Sequence, residues 1–229
     1  MVNSASPVVT CLPSSETLMM VCSGLFNFLV RLALVCALGV PAAHAATILV
    51  YGDSLSAAYG LAQEQGWVNL LAQRLHAERR NYKVANASIS GETTHGGRNR
   101  IESALKTHRP DVVIVELGAN DGLRGSSIDS TRANLEAIID ASRRAGARVL
   151  LVGMRLPPNY GAAYVGKFQQ IYADIAKKKK VPLVPFLFEG FGEDPKYFLP
   201  DGIHPTAQAQ AVMLDTVWKE LEPLLKSSR

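Results

Sequence analysis

Three residue types that can act together on an acyl group stand in two distant segments of this 229-residue chain. Ser54 lies in Gly52-Asp53-Ser54-Leu55, just after the apolar run Thr47-Ile48-Leu49-Val50-Tyr51. Asp201 and His204 lie in Asp201-Gly202-Ile203-His204-Pro205. A serine hydroxyl is a weak nucleophile until a base takes its proton, and His204 is the candidate base. Asp201, three residues earlier, can accept from the other imidazole nitrogen and fix the tautomer. Together they are the parts of acyl transfer through a covalent intermediate. Alone, Gly-Asp-Ser-Leu is four common residues, and Asp201 with His204 would serve equally as a loop pair at a helix start. His76, His95 and His108 show no ligand spacing with His204. A metal site needs three or more convergent ligands. Neither a metal nor an organic cofactor is expected.

Position gives these residues their weight. Thr47–Tyr51 reads as a buried first strand, and Gly66–Arg80 as a helix with Trp67, Leu70, Leu71 and Leu75 on one face. Tyr82–Ser88 reads as strand two and Gly96–His108 as a helix stopped before Pro110. Asp111–Leu117 is a β-branched run typical of a strand buried on both faces. Next come a helix over Ser130–Ala145 closed by Gly146, a strand over Ala147–Val152, and a helix over Phe168–Lys180. Val181–Phe188 reads as strand five, and Thr206–Leu225 as a last helix started by Pro205. Such alternation predicts an α/β domain with five parallel strands and helices on both faces. Ser54 then sits where open α/β sheets do chemistry, at the carboxyl ends of the strands. The connections Gly118–Asp129 and Met154–Gly166 follow strands and should border the same site.

The first 45 residues read differently. Arg31, the apolar run Leu32–Val40 and Ala43-His44-Ala45 have the pattern of a cleaved secretory signal peptide. The run is too short to span a bilayer, which takes about 18–20 apolar residues. All three cysteines (Cys11, Cys22, Cys36) fall in this leader. The chain after it would have no thiol, which excludes cysteine catalysis and suits an oxidising compartment. A periplasmic or secreted protein without stable membrane insertion is expected. The leader holds one Arg (Arg31) and one Glu (Glu16), so removing it leaves the net charge of +4 unchanged. The basic residues are scattered except Lys177–Lys180, which closes a predicted helix where cations complement the dipole. Nothing resembles a nucleic-acid module.

Four blocks, in order, resemble the SGNH (GDSL) hydrolase family. They are Gly52-Asp53-Ser54-Leu55-Ser56, Asn86-Ala87-Ser88-Ile89-Ser90-Gly91-Glu92-Thr93, Gly118-Ala119-Asn120-Asp121 and Asp201-Gly202-Ile203-His204-Pro205. The segments Glu116–Gly125 and Arg155–Gly161 are similar to a branch of periplasmic thioesterases, lysophospholipases and arylesterases. The resemblance implies a three-layer flavodoxin-like fold over residues 46–229. It implies a Ser54–His204–Asp201 triad and an oxyanion hole of the Ser54 amide, the Gly91 amide and the Asn120 side chain. It also implies small-molecule acyl ester or thioester substrates: aryl esters, fatty acyl thioesters and lysophospholipids. Leu123, Arg124, Arg155, Leu156, Pro157 and Tyr160 are the candidate substrate-binding residues. The Gly122–Gly125 loop is expected to move over the acyl chain, with its two glycines as a hinge.

Asp53 and Asp121 read as turn and cap carboxylates. Glu116, a carboxylate in an apolar strand, needs a partner, and Arg155 is the expected one. Two rivals stand beside this reading: a carbohydrate O-deacetylase on the same scaffold and, from a different class, a non-catalytic flavodoxin-like binding protein.

Overall fold

The computed structural model describes residues 45–225. The expected leader lies outside the described residues, except for Ala45. Five strands, β1 (Ala46–Gly52), β2 (Tyr82–Asn86), β3 (Val112–Glu116), β4 (Arg148–Val152) and β5 (Leu183–Val184), form one sheet in the order β2-β1-β3-β4-β5. All pairings are parallel. Every residue of β3 is buried, the apolar run Val112–Val115 as a strand covered on both faces requires, and Glu116 with it.

The helices are α1 (Trp67–Ala77), α2 (Thr94–His108), α3 (Ala119–Leu123), α4 (Ile128–Arg144), α5 (Ala162–Lys179) and α6 (Ala207–Leu221). The chain runs from β1 to β2 in one direction and then reverses across β1 to β3. Right-handed crossovers therefore put α1 on one face and α2, α4 and α5 on the other. Contacts follow that division: α2 packs on α4, α4 on α5, and α6 returns to pack on α1. This is the expected three-layer arrangement.

The sequence reading erred at some element ends. Helix α4 starts at Ile128, ahead of the expected Ser130, because the Ser127 hydroxyl caps it by accepting from the Ser130 amide. Helix α5 starts at Ala162, six residues early, directly after Gly161 at φ +86°. Strand five is two residues long where eight were expected. Pro185 brings no amide donor to the ladder, and Phe186 and Phe188 turn away into an aromatic cluster with Phe191, Tyr197 and Phe198. In the lysine run, Lys178 and Lys179 pair with Glu136 and Asp140 of α4. Among the described residues no helix is long and apolar enough to cross a membrane.

The β1–β3 register matters most for the site. It places Gly52 beside Glu116. A Cβ on Gly52 would lie 2.6 Å from the Glu116 carboxylate and 2.9 Å from both the Glu116 carbonyl and the Ser56 hydroxyl. Only glycine lets the two strands meet there, at the point where β1 hands over to Ser54 and β3 to Asn120.

Candidate active site

Ser54 stands on the turn after β1 and is nearly buried, at 9% exposure. The turn is held from three sides. The Asp53 carboxylate accepts from the Leu55 amide at 3.0 Å. The Ser88 hydroxyl accepts from the Gly52 amide at 3.1 Å, and the Asn86 side chain donates to the Ser56 carbonyl at 2.8 Å. The second block of the sequence pattern therefore fastens the first.

His204 arrives from the segment before α6. Phe198 and Pro205 form an antiparallel bridge, and the Leu199 amide donates to the His204 carbonyl at 2.7 Å. His204 Nε2 lies 2.9 Å from Ser54 Oγ, and Nδ1 lies 2.7 Å from Asp201 Oδ2. The other Asp201 oxygen accepts from the His204 and Ile203 amides at 3.0 and 2.9 Å. Those amide bonds, the His204 amide foremost, hold the Asp201 carboxyl down at about 2. It stays ionised at any working pH and keeps Nδ1 the protonated nitrogen. Nε2 is then free to take a proton from Ser54.

Of the expected donors, Ser54 and Asn120 line the cavity and Gly91 does not. Gly91 has φ +79°, a conformation that favours glycine. Neither its amide nor that of Ser54 donates to another group among the described residues. The Asn120 amide is fully engaged. One N–H goes to Asp53 Oδ2 at 3.1 Å and the other to the Glu92 carbonyl at 3.0 Å.

Below the serine lies a pair of carboxylates with no counter-ion. Asp53 is fully buried and Glu116 is 2% exposed, and among the described residues neither has an ion-pair partner. The expected Glu116–Arg155 pair does not form. Arg155 faces Glu189 at 3.7 Å and lies over the Phe186 ring at 4.5 Å. Glu116 instead accepts from the Ser56 hydroxyl at 2.7 Å and weakly from the Asp53 amide. Burial pushes Asp53 up to about 7 against the Leu55 and Asn120 hydrogen bonds that favour its charge. Burial, and then the Asp53 charge, push Glu116 well above the ordinary carboxylate range. Asp53 is a turn residue as expected, and it also orients Asn120. Asp121 accepts from the amide and hydroxyl of Thr94, capping α2 rather than its own helix.

A cavity of about 540 Å³ opens from Ser54, Asn120 and His204. Leu123, Arg155, Leu156 and Pro157 line it as expected. Met154, Phe186, Phe188 and Phe198 line it too. The sequence reading missed these aromatics because it left Phe186 and Phe188 inside a strand. Their alternation with buried Leu187 was the available signal. Arg124 and Tyr160 lie outside the lining and fasten its surroundings. Arg124 donates to the Gly91 carbonyl at 3.1 Å, and the Tyr160 hydroxyl to the Leu123 carbonyl at 3.2 Å. Gly122 is not part of a loose hinge. It lies in α3, where a Cβ would lie 2.6 Å from Leu156 and 2.8 Å from Phe168.

Residues 50–212 match the model of the GDSL-like lipase/acylhydrolase family. The chain belongs to that family. The esterase TesA of Pseudomonas aeruginosa is 48% identical over 183 residues, covering 80% of this chain and 91% of the relative. The Escherichia coli K12 protein named thioesterase 1/protease 1/lysophospholipase L1 is 42% identical over 184 residues, covering 80% and 87%. A crystal structure of TesA superposes with a TM-score of 0.77 at 47% identity, over 78% of this chain and 99% of that one. The four sequence blocks of the family pattern thus meet at one point in this structure. One carries the serine, and the other three approach it from separate segments of the chain.

The buried carboxylates give a pH test. A carboxyl raised by folding stabilises the fold fully below its unfolded value, here 4.5 for Glu116, and loses that contribution as pH rises through its folded value. Glu116→Gln keeps the shape and an acceptor for Ser56 but removes the proton requirement. Melting temperatures taken from pH 5 to 8 should show the variant gaining on the native chain as pH rises. A difference that stays constant across the range would contradict the buried-carboxylate account.

Proposed function

We propose that this chain is an exported serine hydrolase of acyl esters and thioesters. The 2.9 Å contact between His204 Nε2 and Ser54 Oγ, at the head of an apolar cavity, carries this reading. Ser54 Oγ attacks the acyl carbonyl as Nε2 takes its proton. Asp201 holds the imidazolium that results. The carbonyl oxygen becomes an anion facing the unengaged Ser54 and Gly91 amides. Asn120 joins them by giving up one of its two present acceptors, the Asp53 carboxyl or the Glu92 carbonyl. The tetrahedral species collapses, the C–O or C–S bond breaks, and His204 returns the proton to the leaving alcohol or thiol. Water then repeats the sequence on the acyl-enzyme, releasing the acid and restoring Ser54.

The cavity supports substrates with an apolar acyl group: aryl esters, fatty acyl thioesters and lysophospholipids. Each methylene it buries adds about 0.8 kcal/mol. Its three phenylalanines favour an acyl chain over the sugar of an O-deacetylase substrate. Export rests on the Arg31–Ala45 leader pattern. N-terminal sequencing of the released protein should begin near Ala46, and an intact leader would defeat this part of the proposal.

Steady-state kinetics on an ester series of increasing acyl length tests the whole reading. Leu123→Ala is the cleaner probe of the cavity, because Leu156 also packs beneath Gly122 of the helix bearing Asn120. Leu123→Ala should raise KM for long acyl chains and leave acetyl esters almost unchanged. Asn120→Ala should lower kcat by about 10²–10³ at every length. Equal losses at all lengths for Leu123→Ala, or an effect of Asn120→Ala on KM alone, would overturn these assignments.

A further inference from the structure

Tyr59 is half exposed, yet its ring lies against the imidazole of His204. The two centroids are 4.3 Å apart and the planes are tilted by 35°. No role for Tyr59 follows from the serine, the oxyanion donors or the acyl cavity. Its hydroxyl has no hydrogen-bond partner among the described residues, so the ring makes the contact. The backbone is shaped to bring it there. Ala58, a buried non-glycine residue, adopts φ +58°, and the Tyr59 amide donates to the Ser54 carbonyl at 3.2 Å. Left-handed backbone at a residue with a Cβ is uncommon, and such strain collects at functional sites.

The proposed reaction makes His204 a cation twice per turnover. Asp201 faces that cation from one edge, but its side chain is 38% exposed and water screens its charge. The faces of aromatic rings carry negative charge and attract cations within about 6 Å of the centroid. Tyr59 occupies that range.

We propose that Tyr59 is a positioning residue for His204: its π face stabilises the imidazolium formed when the Ser54 proton is taken. This rests on the triad reading above. The contribution belongs to the transition state and to the charged intermediate, so it falls on kcat and leaves KM alone. The phenol oxygen has no part in it, and the electron density of the ring does.

The test replaces Tyr59 by Phe, by Leu, and by phenylalanines bearing one, two and three ring fluorines, assayed with p-nitrophenyl acetate alongside Ser54→Ala. Fluorine drains the ring face while nearly preserving its shape. Tyr59→Phe should keep native kcat within twofold, and Tyr59→Leu should lower it by about two- to fivefold at unchanged KM. The fluorinated series should fall progressively between those limits, with melting temperatures alike. A flat series, or a Phe variant as slow as the Leu variant, would overturn the proposal and leave the triad standing. Native activity in Ser54→Ala would overturn the triad reading and this proposal with it.

Discussion

Gly52 and Glu116 touch because neither strand leaves room for anything else between them. A side chain at position 52 would strike the Glu116 carboxylate, its carbonyl and the Ser56 hydroxyl together. That close approach fixes the level at which β1 and β3 end. The sheet order reverses between these two strands, and the crevice outside such a reversal is where open α/β sheets take their ligands. Ser54 and Asn120 enter the crevice from its two sides. Gly91 comes from the end of β2 and His204 from the segment before α6. No single element is long enough to carry the site, so its geometry depends on the strand register.

The same approach brings a cost. Among the described residues, Glu116 and Asp53 are buried without a counter-ion beneath the proposed nucleophile. The fold meets that cost with hydrogen bonds from the Ser56 hydroxyl, the Leu55 amide and the Asn120 side chain. The Asn120 bond ties the carboxylates to function. An amide with two hydrogens already serves two acceptors, so in the proposed reaction a developing oxyanion would have to compete for one of them. Asn120 is thus held in place by two hydrogen bonds, one of which it must release to serve in the proposed reaction.

Much of this was legible in the sequence. The β-branched run of β3, the helical spacing in α1 and the turn residues around Ser54 act locally, and local physics decides them. The pairing of Asp201 with His204 was also readable, because three residues of loop already place a carboxylate beside an imidazole. What stayed hidden was set by tertiary packing. Glu116 needed a partner, and Arg155 was the nearest cation in the order of strands, but strand register offered a serine hydroxyl instead. Phe186 and Phe188 are an exception, because Pro185 before them already signals the end of the ladder. Gly122 looked like a hinge because sequence does not reveal Leu156 and Phe168 packed against it. Tyr59 gave no signal at all, since one positive φ at Ala58 decides where its ring lies.

The central claim is that Ser54 is a nucleophile activated by His204. Peptide mass spectrometry after brief exposure to a fluorophosphonate tests it most directly. One phosphonyl adduct on Ser54 is predicted, absent in Ser54→Ala and formed far more slowly in His204→Ala. An adduct on another residue, or labelling of Ser54 at an unchanged rate without His204, would contradict it.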